Sequence, residues 1–269
     1  PSPSADESMR RYKGFLDTIG KCLFYKDEDR GFRGTVLADV YAAVNVLSQN
    51  VYIDKSNPDA IPSINLPSEV AKELIDHLLN NANITQTDVK NICKNHKVEV
   101  QKKTNDSKKD TSLGNSIKFL KSIRKSIEKS GLKWKEFIAE EQFDITKPSK
   151  LHLLGEVLSK YQTPKRKRDE LKKLDFMTPE LLKNVMGLHI SGTSNVSYKF
   201  MIDATKAFLN GESYGNFQAR KFKEFDKEQP SELHYKLPVL QDEYITKNPV
   251  VFRCINETRK VINAVINRY

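Results

Sequence analysis

Apolar residues recur every three or four positions along most of this chain, the period of a helix with one buried face. Thr35 opens the first clear run, with Val36, Val40, Ala43, Val44 and Leu47 inward. Pro67-Ser-Glu opens a second, carrying Val70, Leu74, Leu78 and Leu79. Thr85 caps a third, with Val89 and Ile92 inward and an end at Asn95. Ile117, Leu120, Ile123 and Ile127 make a stripe that stops at Gly131, and Trp134, Phe137 and Ile138 begin a short helix after it. Residues 151–161 form the next. Thr163-Pro164 and Thr178-Pro179 each set a capping threonine before a proline at the first helical position, where a missing N–H costs nothing. Leu181, Leu182, Val185 and Met186 are the apolar set of the second of these. Ser197 or Asn195 caps a helix that buries Met201, Ile202, Phe208 and Leu209. Strand-like alternation is confined to 51–54, and no βα rhythm is present. The pattern predicts an all-α fold with little or no β structure.

Between these runs the signal weakens. Residues 5–24 read as a short helix and turn with Met9, Tyr12, Leu16 and Ile19 on one side. Residues 25–34 read as a charged loop packed only through Phe32. Residues 101–112 hold no large apolar side chain and cannot bury surface to offset the cost of ordering the backbone. The expected organisation is a helical subdomain at 1–100, a flexible lysine-rich loop at 101–113 and a second helical subdomain at 114–269. Residues 211–238 read as a connection with one short helix at 217–225. The last run begins at Asn248, a good N-cap before Pro249. It places Val251, Ile255, Thr258, Ile262, Val265 and Tyr269 on a face for a core, widened by Val250, Cys254, Val261 and Ile266. Arg253, Asn256, Lys260, Asn263 and Asn267 line the opposite face. The chain stops there with no Gly, Pro or polar tail, so it is expected to be a piece of something longer.

Charge sharpens the picture. Lys and Arg outnumber Asp and Glu 45 to 35 across 269 residues, a formal +10. Such a surplus favours polyanions, since each neutralised phosphate releases counterions. No apolar run approaches the roughly 20 residues that span a bilayer, so no membrane partner is expected. Cys22, Cys93 and Cys254 lie far apart without a Cys-x-x-Cys pair, which predicts reduced thiols in a cytoplasmic protein. His77, His96, His152, His189 and His234 form no ligand spacing. Gly211-Glu-Ser-Tyr-Gly215 follows a helix instead of sitting on a strand-to-helix elbow, so it reads as turn chemistry. Gly187-Leu-His-Ile-Ser-Gly-Thr-Ser194 looks faintly like a phosphate cradle, but it lacks a closing lysine and reads as a capping loop. Periodicity and charge together leave candidate phosphate-binding cations on free helix faces. They are Lys118, Lys121, Arg124 and Lys125; Lys165, Arg166, Lys167 and Arg168; Lys199 and Lys206; and Arg253, Arg259, Lys260 and Arg268.

Asn248-Pro-Val-Val, then four residues, then Asn256-Glu-Thr-Arg-Lys-Val-Ile-Asn-Ala-Val-Ile-x-Arg-Tyr269 closely resembles a segment of the type II CRISPR RNA-guided DNA endonucleases. Leu153-Leu-Gly-Glu-Val-Leu-Ser-Lys-Tyr161 and Ile190-Ser-Gly-Thr-Ser-Asn-Val-Ser197 are similar to helical segments of that family in the same order. Ile19-Gly-Lys-Cys-Leu-Phe24 resembles its entry motif more loosely. The resemblance implies a recognition-lobe fragment ending just before the second RuvC segment. It implies guide RNA paired with target DNA, and the parent's other domains, as partners in a bacterial cytoplasm. It also implies no nuclease residues, no cofactor and no catalytic activity in this piece, with magnesium belonging to the parent's nuclease domains. Phage-encoded anti-CRISPR proteins are a second implied partner class, with 101–110 and 211–238 as docking loops.

Overall fold

The computed structural model describes residues 19–57, 59, 61–102, 113, 117–228, 236–237 and 249–268. The chain divides into two compact units, Pro1–Lys223 and Glu224–Tyr269. Within the described residues the first holds helices α1 (Val36–Leu47), α2 (Ser68–Asn81), α3 (Gln86–Asn95), α4 (Phe119–Lys129), α5 (Trp134–Ile138), α6 (Lys150–Lys160), α7 (Pro164–Leu171), α8 (Pro179–Met186) and α9 (Tyr198–Leu209). It also contains strands β1 (Asn50–Asp54) and β2 (Val98–Lys102) and the start of α10 (Tyr214–Glu228). The second contains α11 (Pro249–Ile266). The architecture is helical, with a single two-stranded antiparallel sheet among the described residues.

Most helix starts follow local chemistry. The hydroxyls of Thr35, Ser149, Thr178 and Ser197 each accept an amide of the first turn of the helix they precede. Thr85 and Asp88 form a reciprocal capping box at α3. Gly131 closes α4 with φ +75, donating its amide to Glu128 while Leu132 donates to Ile127, a Schellman end that a β-carbon would strain. Thr163 departs from the expected pattern. Its side chain makes no cap, and Pro164 alone marks the start of α7.

The core is continuous from Cys22 to Phe217. α9 packs across α1 and α2, and α1 also touches α4 and α6. Phe24 stacks on Phe200 with ring centroids 4.3 Å apart, and Phe217 lies 5.2 Å from Phe200. α4 has no N-cap in its own sequence. Its start is met from 79 and 81 residues away, where the buried carboxylate of Asp39 accepts the Lys118 amide at 3.4 Å and the Leu120 amide at 2.8 Å.

Three sequence expectations are revised in this unit. Residues 98–102 form a strand that pairs antiparallel with β1, Tyr52 opposite Val100, because Val98 and Val100 supply the alternation that the neighbouring lysines conceal. Residues 25–34 are well anchored. Lys21 pairs with Asp29, Phe32 bridges to Thr193, and the Gly31 amide donates to Val196 at 2.9 Å. The expected short helix at 217–225 runs from Tyr214 to Glu228, because Tyr214 and Phe217 are both buried. The proposed loop at 103–112, the helix within 5–18 and the Asn248 cap lie outside the described residues.

Taken by itself, α11 also departs from expectation. Ile255, Val261, Ile262, Val265 and Ile266 are exposed, as is Cys254. Asn263 pairs edge-on with the Leu237 peptide, accepting its amide at 2.7 Å and donating to its carbonyl at 3.0 Å.

Candidate nucleic-acid interface

The candidate cations fall into groups set by the helices that carry them. Lys118, Lys121 and Lys125 are exposed at the start and along the outer face of α4, whose other side buries Phe119, Leu120, Ile123 and Ile127. Arg124 lies on the same helix but is partly engaged. Its guanidinium meets Glu128 at 2.8 Å and the Asn80 carbonyl at 3.2 Å. On α7, Lys165, Arg166 and Arg168 are exposed, and Arg166 lies 4.8 Å over the Tyr161 ring. Lys160 approaches the same ring at 5.7 Å, so Tyr161 carries two cations.

Lys167 does not share that face. It is 7% exposed, and burial holds its ammonium below the usual lysine range. The helical turn that exposes Lys165, Arg166 and Arg168 carries Lys167 inward beside Leu171, also buried on α7. It is unsuited to contact a phosphate on the surface.

Lys199 is exposed on α9 and lies 5.1 Å over the Tyr25 ring, with Lys221 at 5.4 Å. The Tyr25 hydroxyl donates to Asp203 at 2.6 Å, which fixes the ring between them. Burial and that carboxylate raise the phenol above its ordinary value. Lys206 lines a shallow depression shared with Asp203 and Glu212, so acidic groups temper the potential there. In the second unit Arg253 and Arg268 are exposed, Lys260 pairs with Glu257 at 2.8 Å, and Arg259 donates to the Leu237 carbonyl at 3.4 Å.

The structure also gathers residues that periodicity did not single out. A cleft of about 580 Å³ is lined by Arg33, Asp39, Tyr41, Asn45, Lys118 and His189, among others. A neighbouring hollow of about 340 Å³ shares Lys118, His189 and Ile190 and adds Lys121. Arg33 follows Phe32 in the anchored loop, and His189 belongs to the 187–194 segment, which sequence alone makes a capping loop. Lys118, from the start of α4, shares the lining with that segment. Burial pushes the Asp39 carboxyl up to about 7, against the lowering effect of the α4 amides. Among the described residues no group of three or more His, Cys, Asp or Glu could hold a metal ion, and no helix is long and apolar enough to cross a membrane.

No family model matches the sequence. The chain is similar to the CRISPR-associated endonuclease Cas9 of Campylobacter jejuni, with 24% identity over 276 residues covering 97% of this chain and 24% of that protein. Two crystal structures of Campylobacter jejuni Cas9 in complex with sgRNA and target DNA, with AGAAACC and AGAAACA PAMs, match at TM-score 0.56 and 19% identity. Each match covers 95% of this chain and 30% of theirs. The chain therefore spans about a quarter of the length of the relative it matches. Sequence and fold point to the same protein over nearly the whole chain, as the motif resemblance implies.

Proposed function

We propose that this chain is a nucleic-acid-binding segment of an RNA-guided CRISPR endonuclease, and that it grips a guide RNA–target DNA heteroduplex through backbone phosphates. The supporting observation is the fold likeness, across 95% of the chain, to a Cas9 solved with sgRNA and target DNA. The exposed cations of α4, α7 and α9 supply the chemistry. In this reading base pairing carries sequence information, while the protein meets the shape and charge of an A-form backbone. Lysines suit that task as point charges that require no particular base. Cleavage, and the magnesium it needs, belong to other parts of the parent protein.

The test is binding of an RNA–DNA hybrid of about 20 base pairs, followed by fluorescence anisotropy at several salt concentrations. Contact with about six phosphates gives a slope of log affinity against log salt of roughly −4 to −5. Affinity independent of salt would sink the reading.

A further inference from the structure

We propose that the cleft between α1 and the 187–196 segment receives a single unpaired nucleobase, everted from a strand whose phosphates lie on Arg33, Lys118 and Lys121. The proposal rests on the nucleic-acid-binding reading but adds a mode of contact that a heteroduplex grip does not need, because paired bases are inaccessible to a slot in the protein.

Three observations carry it. First, the cleft is a built feature. Its outer wall is tied by main-chain bonds, with the Arg33 amide donating to Gly192 at 3.1 Å and the Ser194 amide donating to Gly31 at 2.8 Å. Its inner wall is α1, and its volume of about 580 Å³ lies in the ~300–1,000 Å³ range of small-ligand sites. Secondly, the lining suits a flat heterocycle with a polar edge. Ala42, Val46, Phe119 and Ile190 give apolar surface. Tyr41 also lines the cleft, and a 2.7 Å bond between its hydroxyl and that of Tyr214 restrains its ring there. Asn45 is half-buried in this lining, and its amide makes no hydrogen bond among the described residues. A free amide offers a donor and an acceptor side by side, the complement of a base edge. Thirdly, Arg33 and Lys118 are exposed cations on the same cleft, and Lys121 continues the line into the adjoining hollow. Among the described residues none of the three forms a salt bridge. A cleft with apolar patches, one amide without a hydrogen bond among the described residues and two exposed cations, set beside the Asp39 carboxyl and His189, can meet both halves of a nucleotide.

The experiment compares two probes on the full chain: a single-stranded RNA of about eight nucleotides and a ribose-phosphate oligomer of equal length without bases. The expected result is about tenfold tighter binding of the RNA. Ala42→Phe, which fills the slot, and Asn45→Ala, which removes the amide, should each shrink that ratio toward one. Binding of the base-paired hybrid should stay within about twofold. Equal binding of the two probes by the unmodified chain overturns the proposal, and so does an unchanged ratio in Asn45→Ala with its melting temperature intact. Should Ala42→Phe fail to fold, Asn45→Ala decides alone. Loss of hybrid binding with a preserved RNA-to-baseless ratio would instead sink the heteroduplex reading and leave the slot standing.

Discussion

Asp39 shows how one side chain can organise two helices and attach a pH dependence to the result. Its carboxylate closes the amino end of α4 from the middle of α1, where burial pushes its pKa to about 7. An acid whose folded pKa exceeds its unfolded value keeps its proton longer in the native state. Its contribution is therefore fully present below about pH 4 and is lost as pH rises through about 7. The full swing is roughly 4 kcal/mol. Thermal melts at pH 5 and pH 8 should show the unmodified chain less stable at the higher pH, with the slope flattened in Asp39→Asn; parallel slopes would contradict the assignment. Lys167 presents the opposite sign of charge in a comparable setting, covered and opposing the dipole of the first turn of α7. Lys167→Met should stabilise by about 1 kcal/mol, raising the melting temperature by about 2–4 °C.

Among the elements, α6 is held close against the backbone before α1. A β-carbon on Gly155 would overlap the carbonyl oxygen of Gly34, backbone against backbone, and the Gly34 amide donates to Ser159 at 3.1 Å one turn further on. Gly155→Ala must push α6 away from the entry to α1, at about 1–3 kcal/mol, read as a lower midpoint in urea with an unchanged denaturant slope. The helices themselves were legible in the sequence because their signals are local: Thr35, Thr85, Thr178 and Ser197 cap where their position before an apolar run implies. What could not be read depends on partners remote in sequence. The 98–102 strand needs Tyr52 and Ile53 as neighbours, and the start of α4 needs Asp39. The inward turn of Lys167 is hidden among four consecutive cations, where charge conceals the phase of the helix.

For the whole molecule, the surplus of +10 matters less than which cations are free. Lys121 is exposed, whereas Arg124 is already engaged with Glu128 and Lys167 is covered. Lys121→Ala should weaken hybrids of every sequence alike and reduce the salt slope by about one, while Lys167→Ala should leave the slope unchanged. Matching slopes for the two variants would show that burial does not sort these side chains. Periodicity singles out the α4 and α7 cations as candidates because each set occupies one helix. The cleft escaped it because Arg33, Asn45, Lys118 and His189 come from four separate stretches.

The interleaving of α9 with α1 and α2 has one practical consequence. Polypeptides ending at residue 102 and beginning at residue 103 would each carry half of a shared interior. Expressed together, they should find one another and co-purify, whereas either alone should collect in the insoluble fraction.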